Sequence, residues 1–452
     1  MNLIAPPAEP QPPQPLLDEC RQRRDRLMEK IGQGTAIFSS APIATMHNDV
    51  DYNFRQDSDF FYLTGLVEAQ AVAVLAPHHD EHHFILFVQP KDPDKETWSG
   101  YRVGVDQAKA YYGADAAYDI GELDAQLPQY LAKADRIYYH MGANQGFNLT
   151  VIRHWQSQLR QYHRRGTGPL AIEDARFLLY PLRCVKSPAE LVYLNRAMAA
   201  GAAAHGRAME MVRPGLYESQ VQTELDYTFR QHFGEGSAYP SIVASGDNAC
   251  ILHYTDNSRQ MADGDLLLID AGCSYGYYNS DITRTFPVGQ TFTAEQRILY
   301  ELVLEAQTQA IAAVQPGQPW NEFHDIAVRV LVDGLVELGL LQGSRDELIE
   351  GEKYKPFYMH RTGHWLGLDV HDSGLYKVGE QWLPFQAGQV VTVEPGIYIR
   401  RDFKPAEGQP EVPERWLGIG IRIEDDVLVT ATGNQVLTAA VPKAVADLEH
   451  RF

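Results

Sequence analysis

Cysteine is scarce in this chain: Cys20, Cys184, Cys250 and Cys273 are its four cysteines in 452 residues, with none of the close spacing of a structural zinc site or redox pair. That scatter excludes a disulfide framework and points to a reduced, cytoplasmic protein. Cys273 reads as a small packed thiol. Basic residues are also the minority, 39 against 59 acidic, for a formal net charge of -20, and no run of them could follow a phosphate backbone. Nucleic acid is therefore excluded as an expected partner, and the acidity reads as a solvated surface. Apolar runs are short as well. None approaches the roughly 18 residues that cross a bilayer, and no basic segment with a long apolar sequel opens the chain, so neither membrane nor secretion is expected.

What is present is length. At 452 residues and 50.8 kDa the chain exceeds what one core usually supports, and two domains are expected. Pro6 to Pro15 contain six prolines and predict a flexible, extended arm over residues 1–16. Residues 17–182 alternate short apolar stretches, such as Ala71 to Leu75 and Phe84 to Val88, with helix-like segments including Asp106 to Tyr112, which predicts an α/β domain. Ser187-Pro188-Ala189-Glu190 has the chemistry of a capping box with proline in the first turn, so a long helix opens the second domain, residues 183–452.

That second domain carries a weak internal repeat. One capped helix ends at Val212-Arg213-Pro214-Gly215, and another, opened by Thr293 and Gln296, ends at Val314-Gln315-Pro316-Gly317. Further on, Gly264 to Gly272 aligns without gaps on Gly388 to Gly396, setting Asp270 against Glu394 at the end of matching strands. A pseudo-two-fold axis would make those carboxylates symmetry mates at one central site.

Carboxylates at the ends of apolar strands need a counter-charge, a proton or a metal. Asp270 and Glu394 are so placed; Asp281 falls in a segment that suits the returning strand of a hairpin. In Ile421 to Asp426, period-2 alternation puts Arg422 and Glu424 on one face, leaving Asp425 and Asp426 as expected surface charges at a strand end. Three histidines, His360, His364 and His371, lie within Phe357 to Asp372 among permissive glycines, whereas His205 and His324 read as satisfied core histidines. Four carboxylates with one imidazole are too oxygen-rich for structural zinc. They suit two harder divalent ions, with Mn2+ favoured over Co2+, Zn2+ or Fe2+, and carboxylates bridging the pair can lower the pKa of a shared water.

Taken together, these residues resemble the pita-bread metallopeptidases, and among them the aminopeptidase P family. The resemblance runs through Phe357 to Asp372, Thr392 to Tyr398 and Gly418 to Asp426, and Asn53 to Gly65 is similar to the family's accessory N-terminal domain. It implies an α/β (α+β) architecture with a C-terminal pita-bread catalytic domain. It also implies Asp270 on one metal, Asp281 and Glu424 bridging, and His364 and Glu394 on the other. Glu394 would help move a proton, and His253 and His371 would contact substrate and steady the tetrahedral intermediate. His360, Tyr398 and Arg422 would shape the proline pocket, and Trp98 would reach a neighbouring subunit's site. The implied activity is hydrolysis of the N-terminal Xaa-Pro bond by a metal-bridging hydroxide, in a homo-oligomer (dimer or tetramer) acting on peptides with proline second. Arg361 and Thr362 stand where smaller or apolar residues are expected.

Neighbouring readings differ in identifiable ways. Prolidase, the Xaa-Pro dipeptidase, shares fold and ligands but stops at dipeptides. Methionine aminopeptidase lacks this accessory domain, creatinase lacks the ligands, and non-catalytic pita-bread binding modules typically lose ligands that this chain retains. Acidic strand ends neutralised by Arg422 without metal are the purely structural alternative.

Overall fold

The computed structural model describes residues 13–142 and 144–449, and its packing divides the chain into two compact units, Met1–Leu182 and Arg183–Phe452. Most of the proline-rich arm lies outside the described residues. Its last residues do not: the helix Gln14–Ile31 starts inside the stretch expected to be extended. Pro15 sits in the first turn of that helix, where a missing N–H removes no intrahelical bond.

In the N-terminal unit a six-stranded mixed sheet runs in the order Ala116–Asp119, Phe84–Val88, Val72–Leu75, Thr35–Ser39, Arg136–Tyr138, Ala171–Glu173. Both apolar runs read from the sequence are strands buried along their whole length, which is why they lack polar alternation. Leu127 and Val151, from the helices Leu123–Leu131 and Gln145–Arg165, join Ile37, Val74 and Phe87 in one core. The helix expected around Asp106 is Gly104–Ala110.

The C-terminal unit repeats one plan. The helix Pro188–Met211 carries the Ser187/Glu190 capping box, the helix Ala294–Ala313 carries the Thr293/Gln296 box, and each is followed by a second helix, Glu218–Gln231 and Glu322–Glu337. Each half then supplies a strand, a short two-stranded excursion and a returning strand. Leu266–Asp270 pairs antiparallel with Thr283–Pro287 around the excursion Cys273–Tyr275 and Tyr278–Asn279. Likewise Val390–Val393 pairs with Asp425–Val429 around Gly396–Ile399 and Ile419–Arg422. The helices cover the outer faces with a continuous core that includes Leu225, Phe229, Val303 and Leu331.

Two sequence expectations change here. Asp281 precedes the returning strand Thr283–Pro287 rather than lying in it. Asp425 and Asp426 are not surface charges but fully buried. The alternation is as expected, but the face opposite Glu424 is covered: Gln307 of the helix Ala294–Ala313 donates to Asp425 Oδ2 at 2.8 Å. The strand carrying both aspartates is also central, flanked by Val390–Val393 and Asn434–Val436.

Candidate metal centre and active site

The two hairpins are stitched together where their carboxylates stand. Glu424 N–H donates to Thr283 O at 3.0 Å, and Thr285 Oγ1 donates to Arg422 O at 3.0 Å. Those bonds set Glu424, at the junction between two strands of one half, beside Asp281 of the other. His364 arrives by a separate segment laid along Val390–Val393: Thr392 N–H donates to His364 O at 3.0 Å, and Glu394 N–H to Thr362 O at 2.8 Å. Such close approach is why Gly363 lacks a side chain, since a Cβ there would collide with the Thr392 carbonyl.

The five expected ligands thus share one cavity of about 1330 Å³. Ligand atoms of Asp281, His364 and Glu424 all lie within 4.8 Å of one another. His364 Nε2 is 3.5 Å from both Asp281 Oδ2 and Glu394 Oε1, while its Nδ1 stands 3.0 Å from Trp365 O. With Nδ1–H donated to that carbonyl, Nε2 is the nitrogen turned to the centre, and its lone pair becomes available to a metal once its proton is displaced. Asp270 is held by Arg422 Nη2 at 2.5 Å, and Thr283 Oγ1 donates to Glu424 Oε2 at 2.7 Å.

Four carboxylates gather about the Arg422 guanidinium, and the acidities of Asp270, Glu394 and Glu424 record the imbalance. Burial, and then the charge of Asp281, pushes Glu424 well above the usual carboxylate range. Burial also raises Asp270, against the pull of Arg422. Glu394 is pushed up by burial to about 7, with His364 opposing. For His364 burial acts downward, but the hydrogen bond to Asp281 and the charge of Glu394 outweigh it, leaving the imidazole at about 9. A cluster of carboxylates withdrawn from water, with an imidazole nitrogen turned into it, fits cations. The donor set is sufficient for a pair of divalent ions.

Around this cluster stand further histidines. The His371 ring lies edge-on to His364 with centroids 4.3 Å apart, and His253 lines the same cavity. His360 Nε2 is 2.8 Å from the Tyr398 hydroxyl, to which Arg422 Nη1 donates at 2.9 Å. His324 is a buried core histidine as expected, 2.8 Å from Thr362 Oγ1, and this explains the unexpected Thr362: its hydroxyl also lies 2.7 Å from Tyr358 OH. His205 is buried with Nε2 3.0 Å from Ala271 O. Trp98 belongs to the N-terminal unit, on the helix Pro93–Ser99, and is 91% exposed.

Tyr239 is the residue that sequence reasoning missed. Its hydroxyl lies 2.7 Å from Asp270 Oδ1 and 2.5 Å from Asp281 Oδ1, one phenol against two carboxylates. A single tyrosine in Ala238-Tyr239-Pro240 carries no periodic or charge signal that could have found it.

The fold and centre define a class. Residues 193–431 match the model for metallopeptidase family M24, residues 20–138 match the aminopeptidase P N-terminal domain, and the chain belongs to metallopeptidase family M24. Its C-terminal unit has the pita-bread fold, as the sequence resemblance implied.

Among its relatives is the Xaa-Pro aminopeptidase of Escherichia coli K12, 43% identical over 434 residues that span 95% of this chain and 96% of that one. The solved aminopeptidase PepP of Pseudomonas aeruginosa superposes with a TM-score of 0.91 at 46% identity, covering 98% of each chain. A zinc-substituted E. coli aminopeptidase P in complex with product superposes with a TM-score of 0.90 at 42% identity, covering 96% of this chain and 98% of that one. Among the described residues, no helix is long and apolar enough to cross a membrane.

Proposed function

We propose that this chain removes the N-terminal residue from peptides whose second residue is proline. The observation that carries the reading is the convergence, in one cavity, of Asp270, Asp281, His364, Glu394 and Glu424 with His253, His360 and His371. Likeness to Xaa-Pro aminopeptidases over nearly the full chain supports the substrate class.

Asp270 would hold one ion, His364 and Glu394 the other, and Asp281 and Glu424 both; the oxygen-rich set fits Mn2+. Bound there, the metal pair supplies Lewis acidity toward the peptide carbonyl and acidifies water near neutral pH. The chain's own residues do the rest. Glu394 is the group placed to take the proton from the attacking water and pass it to the departing proline nitrogen. His371, whose basicity is lowered first by burial and then by His364, is neutral near pH 7 and keeps an N–H to donate to the developing oxyanion, with His253 in the same cavity as a second contact. His360, Tyr398 and Arg422 form the wall that receives the proline ring, whose nitrogen offers no N–H for an ordinary peptidase to bind. The exposed Trp98 is consistent with a homo-oligomer, dimer or tetramer, in which it reaches a neighbour's site. Four free, buried cysteines suit a reducing, cytoplasmic setting.

Hydrolysis of Ala-Pro-Ala, Ala-Pro and Ala-Ala-Ala by metal-stripped protein, with and without Mn2+, tests the reading. Metal-dependent release of alanine from Ala-Pro-Ala is expected. Cleavage confined to Ala-Pro would make the chain a dipeptidase, and no cleavage with any divalent metal would make it a binding module.

A further inference from the structure

The cavity is larger than the reaction at its centre needs. Its volume of about 1330 Å³ exceeds the roughly 300–1,000 Å³ that usually encloses a small ligand, and one stretch of wall takes no part in the chemistry above. That stretch carries two cations on an aromatic shelf. The Arg361 guanidinium carbon lies 5.6 Å from the centroid of Trp320 and 5.3 Å from that of Trp382, and Lys377 Nζ lies 4.1 Å from the Trp382 centroid. All four residues line the cavity.

The shelf is anchored through Trp320, and Arg361 lies within electrostatic reach of Asp325 without pairing with it. Trp320 is buried in a core cluster with Phe323, Trp365 and Phe385, and stacks on Trp382 at 5.7 Å. Arg361 donates to the neutral amide oxygen of Asn321. Among the described residues neither Arg361 nor Lys377 has an ion-pair partner, although the chain carries 59 acidic residues and most of its other arginines are paired. Two like charges against the same tryptophan repel, and an anion within reach of both relieves that repulsion while gaining the planar fork of a guanidinium.

We infer that Arg361 and Lys377 form a subsite for a substrate carboxylate carried beyond the proline, an inference that rests on the Xaa-Pro reading. Direction comes from the chain itself. Arg361 directly follows His360, which with Tyr398 and Arg422 lines the proline wall, so a peptide continuing past proline runs toward the shelf. The Trp320 and Trp382 rings support its apolar atoms and the cations hold its charge. The carboxylate is either the C-terminus of a tripeptide or an acidic side chain in third position; the chemistry recognised is the same.

The test uses the metal-loaded full chain and kcat/KM for Ala-Pro-Ala, Ala-Pro-Ala-NH2, Ala-Pro-Glu-NH2 and Ala-Pro-Gln-NH2. A preference of about tenfold for a carboxylate over its uncharged counterpart, mainly in KM, is expected and should shrink at about 0.5 M salt. Preference in the Ala-Pro-Ala pair identifies the terminal source, and preference for Glu over Gln the side-chain source. In Arg361→Gln/Lys377→Gln both ratios should fall to near one, while Arg361→Lys retains part of the preference. Ratios near one in the unmodified enzyme, ratios unchanged in the double variant, or a selective gain with Glu-Pro-Ala-NH2 would each overturn the subsite. The unmodified-enzyme ratios decide the matter even if the double variant does not fold. Failure to cleave any proline peptide, amides included, would instead overturn the underlying Xaa-Pro reading.

Discussion

Arg422 donates to the hydroxyl of Tyr398 at 2.9 Å, and the direction of the relay beyond it is set at the far end, where His360 Nδ1 faces the Arg361 carbonyl, which can only accept. A neutral imidazole that donates Nδ1–H to Arg361 O at 2.8 Å has Nε2 as its acceptor, and the phenol's proton points to it across 2.8 Å. Burial first, and then the Arg422 charge, holds the His360 imidazole down at about 3, so it stays neutral as the relay requires. Tyr398→Phe leaves a buried guanidinium N–H and an imidazole nitrogen without partners. The expected loss is about 1–3 kcal/mol, read as a drop of roughly 5- to 150-fold in kcat/KM toward Ala-Pro-Ala, with the melting temperature reporting any share taken by stability.

Asp281→Asn and Glu424→Gln should each abolish turnover with secondary structure largely retained, because each removes a carboxylate assigned to both metals. Circular dichroism, metal content and kcat measured together check this. Near-normal kcat with full metal content would sink the bridging role. His371→Ala, by contrast, should lower kcat more than it raises KM.

Metal affinity should depend on pH in a defined sense. Without metal, Glu394 holds its proton up to about 7, chiefly through burial. Metal must displace that proton below this value, together with the one His364 carries up to about 9, so apparent affinity should fall by at least about tenfold for each pH unit lowered from 7 toward 5. Calorimetric titration with Mn2+ in buffers of different ionisation enthalpy should register the released proton; binding without proton release at pH 6 would contradict the assignment. The same raised pKa makes the metal-free fold lose stability as pH rises between the ordinary glutamate value, about 4.3, and 7.

Asp372 is fully buried between Arg183 Nη2 at 2.5 Å and Lys186 Nζ at 2.8 Å. Burial acts to raise its pKa, but the two cations prevail and hold it below the usual range. Asp372→Ala should cost about 3–5 kcal/mol by leaving two cations buried without it. Since the folded value is depressed, the stability from Asp372 is present above the unfolded value of about 3.9 and lost as pH falls through the folded one. Urea midpoints between pH 7 and pH 3 should therefore differ between the two proteins mainly above pH 4.

Gly363→Ala should disrupt the metal centre more than the fold at large. Its new methyl group would drive the His364 segment off the strand Val390–Val393. Reduced metal content in a folded protein is the expected result.

Much of this centre could be read from the sequence because its parts obey local rules. Ser187 with Glu190 and Thr293 with Gln296 are capping pairs three residues apart, and both cap their helices. Asp270 and Glu394 stood out as charges ending apolar strands. What escaped was whatever depended on a distant cover: Asp425 reads as exposed until Arg284 and Gln307 are laid over it, and Tyr239 has no signature apart from the two carboxylates it joins. Arg361 looked anomalous for the same reason, its aromatic shelf being assembled from positions 320 and 382.

The fully buried Arg284 also reaches the oxygens of Val441 and Pro442, at 2.9 and 3.2 Å, while it holds Asp425, and Lys443 Nζ lies 2.6 Å from that same aspartate. During synthesis, the hairpins bearing the metal ligands therefore leave the ribosome before the segment that closes over them. A chain that stops before Val441 would leave Arg284 with two carbonyls missing and Asp425 with one cation instead of two. The shell behind Glu424 is thus completed by residues 441–443, far along the chain from the hairpins they close over.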